Sequence, residues 1–280
     1  MKPEGSVRSG MEYEAALEEA RIHVHSKNYD KALVIFEGLI DEIEKIDMFA
    51  DDEASEYHSF DELYEEILYQ FLHKPTKTIR PAHPLMARIY AEYGALLVEL
   101  NRLEEAREAL RAALRWNPMY AGALFEYAET FKMEQDWEGF METTRRAFKI
   151  VFRPLDLARC YRNAASYFVE KELYDAAVGC LEMSVTFDPE CLAAQAERFR
   201  IHEQTNGAAG RPSPAELRQI GETYGIPIGA DRDVVGLALA IGRNGLEKRQ
   251  KAAARYYLTI AYNLTRSQSI EALLKQAEEL

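Results

Sequence analysis

The chain has 280 residues, 48% of them hydrophobic and 29% charged, a composition that fits a globular protein with a sizeable core and not a disordered one. A formal net charge of −13 would disfavour nucleic-acid binding if it were spread over the surface, no apolar run is long enough to span a bilayer, and the start MKPEGSVRSG lacks the apolar core of a secretory signal. Cys160, Cys180 and Cys191 are odd in number, widely spaced and without a CxxC pair, so free thiols in a cytoplasmic protein are expected, with no metal and no cofactor.

Residues 1–10 read as a flexible leader. A first helical hairpin is expected over 11–44, broken at Ser26-Lys-Asn-Tyr-Asp30, whose polar residues favour a turn. An insertion over 45–84 follows, long enough to need structure of its own. The acidity of the chain is concentrated at this point: twelve acids lie between Asp41 and Glu66 against Lys45 alone, which is −11 of the −13. Ser59 and Glu62 have the spacing of a capping box and predict a helix there, with Phe60, Leu63, Tyr64, Ile67, Leu68, Phe71 and Leu72 as its apolar stripe. Pro75, Pro81 and Pro84 then deny a helix and predict an extended, partly polyproline-like path. Two readings of the insertion stay open. Either Asp41–Glu56 is a solvated linker and the helix covers an apolar edge, or the insertion folds over a binding groove and places Thr76–Pro81 inside it.

The stretch Ala87–Pro118 is the most regular in the chain. Gly94, Ala106 and Ala113 sit where two helices of one hairpin would touch, Tyr90, Tyr93, Leu97, Leu103, Leu110 and Leu114 supply bulk around them, and Asn117-Pro118 stops the second helix. The stretch closely resembles a tetratricopeptide repeat, a 34-residue helix–turn–helix unit. This resemblance implies an all-α fold, a right-handed α-solenoid of stacked antiparallel helical hairpins. On the same register a further repeat starts at Ala121, with Tyr127, Ala128, Phe131, Trp137, Ala147 and Phe148 in place. Phe140 stands there where a small residue is usual, which predicts a splayed or repacked hairpin. Another starts near Ala158, with Tyr161, Ala165, Phe168, Tyr174, Ala177, Leu181 and Ser184, so three repeats occupy 85–189. The first hairpin falls into the register through Ala20, Tyr29, Ala32 and Phe36.

Over 190–280 the register degrades into irregular hairpins and a capping helix. Glu190–Gln204 reads as a helix and TNGAAGRP as a loop. Ser213 and Glu216 form a capping box with Pro214 at the first helical position, opening a helix that ends at Gly225. A last hairpin over Asp231–Asn263 has Gly242 and Ala254 at small-residue positions, and a final helix starts near Ser269.

The resemblance also implies that the first helices of the repeats line a concave binding wall. Helical spacing makes Arg88, Ala91, Ala95 and Val98 its stripe in one repeat, flanked by Glu92 and Glu99. The next repeat contributes Phe125, Glu129, Lys132 and Met133, and the last Arg159, Arg162 and Asn163. Arg159, Arg162 and Asn163 suit an anionic group such as a peptide carboxylate, and Phe125 with Met133 suits an apolar pocket. The competing reading is a set of solvated faces whose arginines pair with Glu126, Glu129 and Glu170. Ala91 and Ala95 argue against the carboxylate clamp that family members use on chaperone tails.

No nucleophile–base pair, metal set, P-loop, GxGxxG or GxSxG motif stands out, and His23 and His25 fall on different helix faces. The expected function is that of an intracellular adaptor or scaffold without catalysis, a monomer or weak homodimer. Its expected partner is a protein or peptide segment, an anionic group being one feature it would recognise, and neither nucleic acid nor membrane. Two alternatives stand beside it: a regulatory peptide sensor, and an enzyme with a site in the C-terminal third, where the loops Thr205–Ser213 and Ile226–Asp231 are unexplained.

Overall fold

The computed structural model describes residues 10–45, 49–83 and 85–280. Residues 1–9 of the expected leader over 1–10, and Pro84 of the proline-containing segment, lie outside the described residues, while Gly10 already begins the first helix. Two compact units divide the chain, Met1–Glu134 and Gln135–Leu280.

In the first unit, α1 (Gly10–His25) and α2 (Tyr29–Glu44) form one antiparallel hairpin, and α4 (Met86–Glu99) and α5 (Leu103–Trp116) form the next, with α6 (Ala121–Met133) packed on both α4 and α5. The small residues do what their positions require. A Cβ on Gly94 would lie 2.6 Å from Cγ of Leu110, and Ala20, Ala32, Ala106 and Ala113 are fully buried. The turns repeat in detail: Lys27 and Asn101 each adopt a left-handed backbone conformation, φ 57° and 58°, and their neighbours Asn28 and Arg102 donate back to His23 and Leu97 carbonyls.

The insertion carries a small sheet. β1 (Ser55–His58) and β2 (Thr78–Pro81) pair in parallel, so residues 78–81 of the expected extended segment form a strand against β1, beside otherwise helical structure. Between the strands runs α3 (Leu63–His73). Its cap is not Ser59. The carboxylate of Glu65 reaches back to the N–H groups of Asp61 (2.8 Å) and Glu62 (3.2 Å), while Ser59 is buried, its N–H donating to the Trp116 carbonyl at 2.8 Å. The expected stripe is also rotated. Tyr64 and Leu68 are buried, but Leu63 and Phe71 are 62% and 44% exposed, and the third buried side chain of this helix is Glu65. Glu65 additionally accepts a bond from Nδ2 of buried Asn117 at 2.9 Å, which ties the insertion to the end of α5. Burial raises the Glu65 carboxyl above the usual glutamate range, against the opposing pull of the Asn117 amide and the two backbone N–H groups.

The boundary between the units falls between α6 and α7 (Trp137–Phe148), inside what the sequence register makes one hairpin. Phe140, in place of the usual small residue, is buried and meets Trp137 edge-on at 5.8 Å. In the second unit α7 packs on α8 (Pro154–Glu170), which forms a close hairpin with α9 (Tyr174–Phe187). Tyr161, Ala165, Phe168, Ala177, Leu181 and Ser184 are buried within it. Glu172 repeats the left-handed turn at φ 57°.

Beyond α9, α10 (Leu192–Gln204) and α11 (Pro214–Tyr224) both pack on α9 instead of forming a hairpin with each other. The Ser213 capping box forms as the spacing predicts, Ser213 Oγ accepting from Glu216 N and Glu216 from Ser213 N at 2.7 Å. Gly225 ends α11 at φ 66°. Gly179 of α9 admits α11 closely, since a Cβ there would lie 2.6 Å from Leu217. The chain closes with the hairpin α12 (Arg232–Glu247) and α13 (Lys251–Thr265), where Gly242 meets Leu258 as Gly94 meets Leu110, and with α14 (Gln268–Glu279) packed on α13 and α12.

Candidate functional site

The face expected to bind a partner begins, in the first unit, on α4 and α6. Arg88 is held by Asp61 of the insertion at 2.8 Å, which keeps its guanidinium strongly basic. Glu92 is the partner of Arg21 on α1, in a two-bond pair of 2.6 and 2.8 Å. Ala91 and Val98 are buried and do not line an open wall. On α6, Glu129 and Lys132 pair at 3.3 Å, and Met133 is 42% exposed. Phe125 corrects an expectation: it is 2% exposed and belongs to packing, not to an open apolar pocket.

In the second unit the α8 residues are also engaged. Nη1 of Arg162 donates to Asp188 at 3.1 Å and to Ser184 at 3.2 Å, both on the second helix of the same hairpin or its cap. Asn163 lies 3.5 Å from Thr144 of α7, and Arg159 is half-buried with contacts of its own. Arg162 thus pairs with Asp188 and not with the glutamates that the sequence offered.

The C-terminal loops acquire an explanation. Tyr161 presents its hydroxyl to 226–231, donating toward the Pro227 and Gly229 carbonyls at 2.8 and 3.0 Å and accepting from Gly229 N at 2.8 Å. Burial pushes this phenol well above its ordinary range. Arg145 of α7 donates to the Tyr224 carbonyl at 2.8 Å, and Phe168 packs edge-on against Tyr224 at 4.8 Å. Between α11, this loop and the end of α7 lies an open depression of about 670 Å³. In it Lys149 pairs with Asp231 at 2.9 Å, and the other Asp231 oxygen accepts from Asp233 N as the N-cap of α12. Both carboxylate oxygens therefore have structural work.

Cys160 and Cys180 are buried and Cys191 is half-buried, all free. Burial raises both buried thiols, Cys180 up to about 12, so neither is a ready nucleophile. Among the described residues no group of three or more His, Cys, Asp or Glu side chains is placed to hold a metal ion, and no helix is long and apolar enough to cross a membrane.

One residue escaped the sequence reading. Phe199 on α10 is 66% exposed, and it stands at the register position that Gly94 and Ala165 occupy in complete hairpins. Carrying the 34-residue period one repeat further would have flagged it.

No protein-family model matches the sequence, and no curated protein is similar to it. Among solved structures, a tetratricopeptide repeat protein from Parabacteroides merdae is 14% identical, with 95% of this chain and 98% of that chain covered and a TM-score of 0.38. The C-terminal part of a TPR repeat-containing protein from Cytophaga hutchinsonii is 12% identical, with coverage of 92% and 99% and a TM-score of 0.38. A chain of the APC/C hetero-tetramer Cut9-Hcn1 is 13% identical, with 89% of this chain and 52% of that chain covered and a TM-score of 0.30. Over most of its length the chain is similar to tetratricopeptide repeat proteins of known structure, and its own stacked hairpins, with their shared turns and small contact residues, carry the all-α repeat fold.

Proposed function

We propose that the chain is a non-catalytic helical-repeat adaptor that binds a protein or peptide segment through the first helices of its hairpins. The observation that carries this reading is the state of Arg162. Its guanidinium lies at the surface of α8, 27% exposed, paired with a side chain that is itself accessible, Asp188 at 21%. An incoming carboxylate can replace or join Asp188 there with little rearrangement, because arginine offers several N–H groups in one plane. Arg159 and Asn163 lie on the same helix, one turn or less away. In the first unit, Met133 with Glu129 and Lys132 gives α6 an apolar and charged edge that a separate part of a partner would use, while Arg88 and Glu92 support the wall through Asp61 and Arg21.

The test is partner capture from cell extract by the full chain, compared with the Arg159→Ala, Arg162→Ala double variant. Loss of a defined subset of partners, recovered with Arg162→Lys to a lesser degree, is the expected result. Identical partner sets for the two proteins would sink the assignment of binding to α8.

A further inference from the structure

The helix α10 begins a hairpin that the chain does not complete. Asn206 follows Glu172 by one 34-residue period and repeats its left-handed turn at φ 51°, with Gly207 N donating to the His202 carbonyl as Leu173 N does to Phe168. At that point Gly207 is also left-handed, φ 75°, and the chain leaves the path of a second helix. The face that a second helix would cover stays open. Tyr161, Ala165 and Phe168 are buried in the complete hairpin, whereas Gln195, Phe199 and His202, one period on, are all exposed. Leu192 at 77% and Phe199 at 66% exposure are the largest apolar side chains left on it.

The chain cannot supply the missing helix from α11. One period beyond Ala177 and Ser184, the close-contact residues of α9, stand Arg211 and Arg218, too large for that approach. α11 is in any case held by Leu217 against Gly179 of α9 and by Tyr224 against Phe168 of α8. Beside the open face lies a cavity of about 510 Å³ whose walls include Val178 and Glu182 of α9, Arg198 and Phe199 of α10, and Ala209 and Arg211 of the loop. Here two arginines share one carboxylate, Arg198 at 2.5 Å and Arg211 at 3.7 Å from Glu182, and the Arg211 side chain is 78% exposed. The wall is one positive charge in excess.

We propose that this face is a docking site for an amphipathic α-helix of another protein, which completes the fifth hairpin in trans. The partner helix carries a glycine or alanine opposite Phe199, reversing the small-to-large contact of Gly94 with Leu110, and an acidic side chain toward Arg211. Unlike the α8 site, it is recognised by the hairpin face of its helix and not by the outward stripe.

The probe is a fluorescent synthetic peptide of residues 103–116 carrying Leu110→Ala, which keeps Ala106, Ala109 and Ala113 on one face and Glu104, Glu105 and Glu108 for the arginines. Binding to the full chain is read by anisotropy. Phe199→Ala, at an exposed position, weakens binding by about tenfold or more, and Arg211→Ala weakens it a few-fold while reducing its salt dependence. Arg159→Ala with Arg162→Ala leaves it unchanged, which separates this site from the α8 site. Equal binding by wild type and Phe199→Ala, or none up to about 1 mM, overturns the proposal. Concentration-dependent self-association that Phe199→Ala abolishes, seen by sedimentation, also overturns it and gives the face to a second copy.

Discussion

Glu65→Ala tests how the insertion is fastened. The wild-type carboxylate accepts from Asp61 N, Glu62 N and Asn117 Nδ2 at 2.8, 3.2 and 2.9 Å. Removing it orphans the buried Asn117 amide, which costs about 1–3 kcal/mol, and strips the start of α3 of its cap, about 1 kcal/mol more. The sum, about 2–4 kcal/mol, falls on the insertion, because Asn117 keeps its own bond to Met119 N at 3.0 Å. Amide exchange read residue by residue suits this better than a single unfolding curve, since a chain of two units need not unfold in one step. Exchange in β1 and α3 should accelerate roughly 30- to 900-fold while α12 and α13 stay protected. Glu65→Gln, which keeps one acceptor oxygen, should cost about 1 kcal/mol. Protection in β1 and α3 unchanged by Glu65→Ala would refute the reasoning. The pH dependence carries a definite sign. With the folded carboxyl raised above its ordinary 4.5, the native state retains a proton that the unfolded chain has released, so stability is fullest below that value and declines as pH rises through the folded value. Glu65→Gln should flatten that decline.

Gly94→Leu should destabilise the first unit by about 1–3 kcal/mol in urea unfolding, and Leu110→Ala in the same chain should recover part of the loss. Tyr161→Phe removes three contacts to the 226–231 loop and should speed exchange of the Gly229 amide by about tenfold or more, with a loss of about 1–2 kcal/mol. Thiol titration of the native chain should modify Cys191 first, with Cys160 and Cys180 reacting only on unfolding; rapid modification of all three would contradict their burial.

The hairpins were legible because close helix contact demands a small residue at fixed intervals, and Gly94, Ala165, Ala177 and Gly242 announce it. The insertion was not. A strand of four residues pairing in parallel with another more than twenty residues away leaves no local signature, and neither β1 nor β2 has the alternation that burial of one face imposes. Ser59–Glu62 and Glu62–Glu65 satisfy the same capping spacing, and tertiary contacts decided between them by burying Ser59 against Trp116. Helical spacing likewise put Phe125 on a wall, but a face named from one helix says nothing of what packs on it. Helical spacing on the repeat register also named Arg162 as a wall residue. Its partner, Asp188, was missed because it lies on the cap of α9, outside the helix being read.

The two-stranded sheet also bears on solubility. Thr78 and Ala82 point their N–H groups at β1, so the alternation turns Ile79 and Pro81 toward the outer edge of β2. An open edge of this kind is a template for adding strands from neighbouring molecules. Proline in the second of those positions has no N–H to offer, and Lys77 just before the strand is drawn to the Asp52 carbonyl at 2.6 Å. The ladder is therefore too short and too incomplete to propagate. Replacing Pro81 would restore an N–H to the outer edge of β2 and extend what a neighbouring strand could pair with there.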